Sequence, residues 1–254
     1  MNAHRLLDPN AEFRVAPNLC ALGIMTKAPE PGKVKTRLSP PLTAEEAAAL
    51  NICFLRDLSQ SIAAAAKHSA GRGIGIYTPI GAEESYQGIL PPDFFLIPQR
   101  GNDFGERLVL AAEDLFTVGF ESVCLINSDS PTVPATVFAI AANRLHRMDD
   151  EIVLGPSIDG GYYLIGMKRL RRDLFEGIDW STERVLNQTI ERAGEGGVYL
   201  LPSGLDVDDQ SSLHLLCEEL LTENAQAGDI APETQKFLRE LIAREGRERI
   251  WPKL

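Results

Sequence analysis

The stretch Leu19–Leu38, LCALGIMTKAPEPGKVKTRL, sets two unlike kinds of sequence directly end to end. Leu19–Met25 is an unbroken apolar run, the pattern of a strand buried on both faces, and such strands belong to sheets covered by helices on both sides. Thr26–Leu38 then places four cations, Lys27, Lys33, Lys35 and Arg37, within eleven residues, while Pro29, Pro31 and Gly32 shape the backbone. A cationic loop leaving a buried strand lies outside the carboxyl edge of the sheet, where open α/β folds bind their ligands.

Working outward, strand and helix patterns alternate. Thr43 and Glu46 form a capping box before a long helix over 44–67. Gly73–Thr78 and Phe94–Pro98 read as short strands, Phe104–Phe116 as a helix, and Ser122–Asn127 (SVCLIN) as a second buried strand. A helix over Pro134–Arg147 precedes strands Ile152–Pro156 and Tyr162–Met167, which flank a Gly-Gly turn. Ser181 is expected to cap a helix reaching about Ala193; Val198–Leu201 reads as a strand, and 209–221 and 232–245 as terminal helices. The alternation implies a mostly parallel sheet with helices on both faces. Residues 1–17, polar and punctuated by prolines, are expected to be a flexible extension, and 18–254 a single domain.

Composition narrows the function. A formal charge of −11 on 254 residues argues against nucleic acid as a partner, since phosphate backbones call for a basic surface. No apolar run approaches the roughly 20 residues of a membrane span, and the N-terminus lacks the apolar core of a signal peptide, so the expectation is a cytoplasmic protein without a membrane partner. Cys20, Cys53, Cys124 and Cys217 stand far apart without a Cys-x-x-Cys pair, which predicts buried free thiols. The four histidines show no ligand spacing. No G-x-G-x-x-G follows the first strand, which argues against a dinucleotide oxidoreductase. The sequence is silent on oligomeric state, and a homodimer is compatible with it.

Chemistry concentrates in loops that follow strands. In an acidic protein, Lys27, Gly32, Lys35, Thr36 and Arg37 suit a polyphosphate, with lysine as a point charge, arginine as a fork and backbone N–H groups as donors; the other reading is a solvated basic turn. The loop is not a Walker A motif, because Val34 follows Gly32-Lys33. Asp129, leaving the strand Ser122–Asn127, can hold Mg²⁺ (or Mn²⁺) against donor phosphates, or it can open an Asx-type turn. Asp206, Asp208 and Asp209 crowd three carboxylates into four residues, which is costly without a cation unless the following helix N-terminus absorbs some of the charge. Asp159, in Asp159-Gly160-Gly161, is either part of a plain hairpin turn or a binder or base for a small-molecule acceptor. Asn102 and Arg107, at the start of the helix Phe104–Phe116, either line the donor site or belong to a loop and its cap.

At these residues the sequence resembles a known family. Lys27-x-Pro29-x-x-Gly32-x-x-Lys35-Thr36-Arg37-Leu38, Ser128-Asp129-Ser130-Pro131, Gly155-Pro156 with Asp159-Gly160-Gly161-Tyr162-Tyr163, and Trp180-Ser181-Thr182 resemble the bacterial glycosyltransferase-like family of radical-SAM/selenodomain-associated transferases. The match runs from about Leu19 to Leu216. More distantly, Lys35–Leu38 and Asp206-Val207-Asp208 are similar to the phospholactate guanylyltransferases. The resemblance implies a Rossmann-like GT-A three-layer sandwich, donor phosphates on Lys35 and Arg37, and metal on Asp129, Asp206 and Asp208. Ser130 stands where that family often has Cys, and Asp209-Gln210 where it often has Thr-Pro. The implied protein is a Mg²⁺-dependent transferase that carries a nucleotidyl or glycosyl group from an NTP or NDP-sugar to a small acceptor, with Asp129, Asp159 and Lys35 as candidate catalytic residues. The rival reading is a non-catalytic nucleotide-binding or partner-binding module of the same fold.

Overall fold

The computed structural model describes residues 4–148, 150–194, 197–222 and 230–252. Its strands are β1 (Arg5–Leu6), β2 (Cys20–Lys27), β3 (Gly71–Thr78), β4 (Phe95–Pro98), β5 (Ser122–Ile126), β6 (Ile152–Pro156), β7 (Tyr162–Met167) and β8 (Val198–Leu200). Its helices are α1 (Ala44–Ala66), α2 (Phe104–Thr117), α3 (Ala135–Arg147), α4 (Val185–Ala193), α5 (Gln210–Leu221), α6 (Pro232–Glu245) and α7 (Arg247–Ile250). The strands form one sheet in the order β1-β4-β3-β2-β5-β7-β6-β8. Five pairings are parallel, and only β7 runs antiparallel to its neighbours β5 and β6. The expected mostly parallel α/β sheet is therefore what this sequence forms.

Strand alternation sorts the core into two layers. Cys20, Leu22 and Ile24 of β2 pack with α1 and α3 on one face. Ala21 of β2, with Val123 and Leu125 of β5, packs with α2 on the other. A third cluster joins α1 to α5, α6 and α7 through Leu50, Phe54, Leu213, Leu238 and Ile250, with Trp251 just beyond α7. The capping box of Thr43 and Glu46 fixes the start of α1. The four cysteines are buried and free, as expected; no described helix is long and apolar enough to cross a membrane.

Two local expectations are corrected. Residues 4–17 are not a loose extension: β1 pairs with β4, Leu7 and Val15 are buried, and both donate backbone hydrogen bonds into the body of the protein. The backbone pairing, Leu7, Val15 and the Phe13–Phe95 contact hold this segment, and the polar composition around them hides that anchoring. Residues 1–3 of that segment lie outside the described residues. Ser181 does not cap α4 either. It adopts φ +62°, and the helix starts at Val185 after the N-cap Arg184. The chain bends there because Leu186 N–H donates to the Gly160 carbonyl, bringing this segment against the turn between β6 and β7.

Candidate functional site

The parallel register places the carboxyl ends of β2, β3, β4 and β5 along one edge, and the antiparallel β7 brings the β6–β7 turn to it as well. The cation loop leaves β2 here. Ala28 N–H donates to Thr78 O on the neighbouring strand, and Lys33 N–H closes a turn onto Glu30 O. Gly32 takes φ +72° in open space. Lys35 takes φ +49°, which a β-carbon disfavours, and a 3₁₀ turn, Thr36–Leu38, follows it. That backbone turns the Lys35 side chain inward: it is 3% exposed, with Nζ 2.7 Å from Asp129 Oδ1 and 3.1 Å from Asp208 Oδ1. Nζ also donates to Val207 O at 2.6 Å. Burial disfavours the ammonium, but Asp129 and Asp208 outweigh it and hold the Lys35 pKa above its usual value.

Asp129 is delivered by β5. Asn127 N–H donates to Tyr163 O, Asn127 Oδ1 accepts from Asp129 N–H, and Ser128 donates to Asp129 Oδ1. Asp206 and Asp208 arrive from the far end of the chain. Beyond β8, Leu201 N–H donates to Leu154 O, Gly204 N–H to Pro156 O, and Val207 N–H to Asp129 O itself. The Tyr163 ring sits beneath this segment. Its hydroxyl donates to Pro202 O at 2.8 Å, and added β-carbons at Gly155 and Gly204 would lie 2.4 and 2.8 Å from ring atoms. Asp209 turns away to cap α5, in a capping box with Ser212. Of the acidic run, the structure thus separates one helix cap from two site carboxylates.

Asp129, Asp206 and Asp208 each offer an oxygen within 4.8 Å of the others. Burial first, then repulsion from Asp129 and Asp208, pushes the Asp206 carboxyl up to about 8. Its Oδ1 is buried without a hydrogen-bond partner. An orphaned carboxylate oxygen beside two further carboxylates is a donor set for a hard divalent cation such as Mg²⁺ or Mn²⁺. Asp159 stands in the β6–β7 turn, where Oδ1 accepts from Gly161 N–H and from Ser157 Oγ. It is near enough to the cluster to add to the repulsion on Asp206. Gly160 in the same turn has φ +88°, and a β-carbon there would meet the Glu183 backbone at 2.4 Å, so the residues following Trp180 wall this turn.

A cleft of about 220 Å³ lies between the cation loop and the carboxylates, lined by Lys27, Lys33, Val34, Lys35, Thr36, Arg37, Asn51, Ser128, Asp129 and Asp208. Arg37 reaches it from solvent, 70% exposed and 3.9 Å from Asp208 Oδ2. Asn102 and Arg107 are not in this lining. They sit at the start of α2, where Glu106 accepts from Asn102 N–H and the Arg107 side chain donates to Gly101 O. Gly32 shapes the loop without lining the cleft. Sequence reasoning missed Asn51, whose only signal is a carboxamide on an otherwise apolar face of an alanine-rich helix.

The fold is that of nucleotide-diphospho-sugar transferases, with its ligand edge equipped with carboxylates and cations. A crystallised protein from Desulfovibrio desulfuricans G20, described as a "putative nucleotide-diphospho-sugar transferase", is 31% identical to this chain over 91% of this chain and 99% of its own, with a TM-score of 0.77. The chain belongs to one family with that protein. A family model described as "Uncharacterized protein conserved in bacteria (DUF2064)" matches residues 61–182, which include Asp129 and Asp159 but neither the cation loop nor Asp206 and Asp208. Rv0371C of Mycobacterium tuberculosis H37Rv, in complex with manganese, is 15% identical over 80% of this chain and 100% of that one, with a TM-score of 0.45. A cytidylyltransferase from Leptospira borgpetersenii serovar Hardjo-bovis (strain JB197) is 10% identical over 94% and 99%, with a TM-score of 0.47. No curated protein matches the chain in sequence.

Proposed function

We propose that this protein is a divalent-metal-dependent transferase that moves a nucleotidyl or glycosyl group from an NTP or NDP-sugar to a small acceptor, as a radical-SAM/selenodomain-associated type of transferase. The observation that carries the reading is the convergence of Asp129 with Asp206 and Asp208, from loops more than 70 residues apart, beside four cations lining one cleft. The description of the D. desulfuricans relative supports it.

In this reading Lys27, Lys33 and Arg37 hold the donor phosphates in the cleft, with Thr36 as a hydroxyl donor. Asp129, Asp206 and Asp208 hold Mg²⁺ or Mn²⁺, which when bound neutralises charge that develops on the phosphates. Lys35 keeps these carboxylates in place and carries positive charge to the leaving group. Asp159 faces the acceptor and takes the proton of its hydroxyl as that oxygen bonds to the transferred phosphorus or anomeric carbon. The bond to the departing phosphate breaks, and pyrophosphate or a nucleoside diphosphate leaves with the electron pair. Asn102 and Arg107 lie outside the cleft lining and serve the donor only through a ligand long enough to reach the start of α2.

The test is calorimetric titration of all NTPs and the common NDP-sugars with Mn²⁺, Mg²⁺ or chelator. Arg37→Ala should weaken the ligand that binds about 10- to 150-fold in every condition, whereas Asp129→Asn should weaken it chiefly with metal present. Equal effects of Asp129→Asn with metal and with chelator would remove the metal assignment. Nucleotide binding without product formation would leave a non-catalytic binder.

A further inference from the structure

Asn51 is on α1, at the inner wall of the cleft, and the reading above gives it no part. It is 3% exposed, it lines the cleft with the cation loop, Asp129 and Asp208, and its Oδ1 is sealed from solvent with no hydrogen-bond partner. Among the described residues its Nδ2 makes no hydrogen bond either, and that nitrogen, unlike Oδ1, is not sealed from solvent, so the amide N–H is the group open to the cleft. Its neighbours Ala47, Leu50 and Phe54 on the helix are buried and apolar. Packing alone would be served better by leucine, because a buried amide that lacks partners loses its hydration for nothing in return. Buried polar groups find partners in protein, water or ligand, and one that faces a cleft has the ligand within reach.

The lining tells which ligand. Four cations, Lys27, Lys33, Lys35 and Arg37, face two carboxylates, Asp129 and Asp208, so the wall that Asn51 shares favours an anion. A carboxamide adds N–H donors without adding charge. This matters here, because Lys35 Nζ lies only 5.6 Å from the ring of Phe54, one helical turn from Asn51. A second ammonium at that point would repel Lys35 from its carboxylates, whereas an amide leaves it undisturbed. We infer that Asn51 is a further donor-binding residue, whose amide N–H donates to a phosphate oxygen of the nucleotide held by the cation loop. The inference rests on the transferase reading and extends it to a residue of the helix behind the loop.

Calorimetric titration with Mn²⁺ and inorganic pyrophosphate isolates the phosphate contact from any base or sugar. Asn51→Leu keeps the size and removes the amide. The expected result is a melting temperature no lower than the parent's, together with pyrophosphate affinity about tenfold weaker. Asn51→Asp, which adds a negative charge, should weaken binding more. Should leucine not fit the site, Asn51→Ala carries the same comparison without added volume. Pyrophosphate bound by folded Asn51→Leu or Asn51→Ala as tightly as by the parent overturns the assignment and makes Asn51 a core residue only. A parent protein that binds neither pyrophosphate nor any nucleotide overturns the transferase reading as well, so the two failures are distinguishable.

Discussion

Replacing Lys35 by methionine keeps the length of the side chain and deletes its charge. The ammonium removed is 3% exposed and bridges Asp129 and Asp208, which are 26% and 47% exposed. Removing one partner of a buried ion pair costs about 3–5 kcal/mol. The half-exposed Asp208 is screened by water, which puts the loss toward the lower end of that range. A chain of this length loses about 2–4 °C of melting temperature per kcal/mol, so Lys35→Met should melt roughly 6–12 °C below the parent in chelator. A divalent cation should reverse much of this, because the three carboxylates remain and no longer share their charge with an ammonium. Cation at about 100 times its Kd returns about 2.7 kcal/mol, and that Kd should be lower in Lys35→Met than in the parent. Differential scanning calorimetry across a Mn²⁺ titration, with a chelator control, reads both quantities. Unchanged melting in chelator would show that Lys35 is not the counter-ion of the cluster. A Mn²⁺-induced rise no larger than the parent's would refute the claim that ammonium and metal share one set of carboxylates.

Glu46 is 12% exposed and accepts from Thr43 N–H and from Arg244 and Arg249; burial opposes its ionisation, but the hydrogen bond from Arg249 and its other partners lower its pKa below 4.5. Its stabilisation is therefore present above that value and lost as pH falls through the lowered one, so Glu46→Gln should cost about 1.5–3 kcal/mol at neutral pH. Melting curves of the two proteins should converge as pH falls well below 4.5, and a gap independent of pH would exclude the charge as its cause. Tyr163→Phe leaves Pro202 O without its donor, so Mn²⁺ affinity measured by electron paramagnetic resonance should fall along with about 1 kcal/mol of stability. A loss of stability without a change in Mn²⁺ affinity would show that the ring, and not its hydroxyl, positions the Asp206 segment. Deleting residues 2–16 removes buried Leu7 and Val15, worth about 1.5–3 kcal/mol each as an upper estimate, and the melting temperature should drop by several degrees. An unchanged value would make β1 a passive edge.

Much of the fold was legible because hydrophobic periodicity reports burial directly. LCALGIM and SVCLIN are apolar on both strand faces, which only a sheet covered on two sides explains, and both are central strands. Helix starts were legible where a capping box marks the backbone, as Thr43 and Glu46 do for α1. The rule failed at Ser181, a good capping residue whose backbone is taken by the bend toward Gly160. It also failed at residues 4–17, where Leu7 and Val15 are too few to make a period and gain their burial from contacts across the fold.

The site was legible as chemistry but not as geometry. Asp206 and Asp208 announce themselves by crowding, since like charges so close together need a cation or a cap. Which of the carboxylates caps α5 depends on where Pro202–Leu205 settle against β6 and the Tyr163 ring, and no local pattern records that. Lys35 shows the same limit from the other side. A lysine in a cationic loop reads as a ligand for phosphate, and φ +49° at that residue instead turns its ammonium onto Asp129 and Asp208. The consequence is physical. One buried cation, Lys35, balances Asp129 and Asp208, which would otherwise repel each other. On the proposed metal reading, Asp129 and Asp208 would hold the ion and grip Lys35 less tightly, which would free its ammonium to pair with a donor phosphate. On that reading metal and phosphate binding are coupled through one side chain, so each should tighten the other in the parent, and the coupling should shrink in Lys35→Met. Isothermal titration of pyrophosphate with and without Mn²⁺ measures it, and equal coupling in both proteins would refute it.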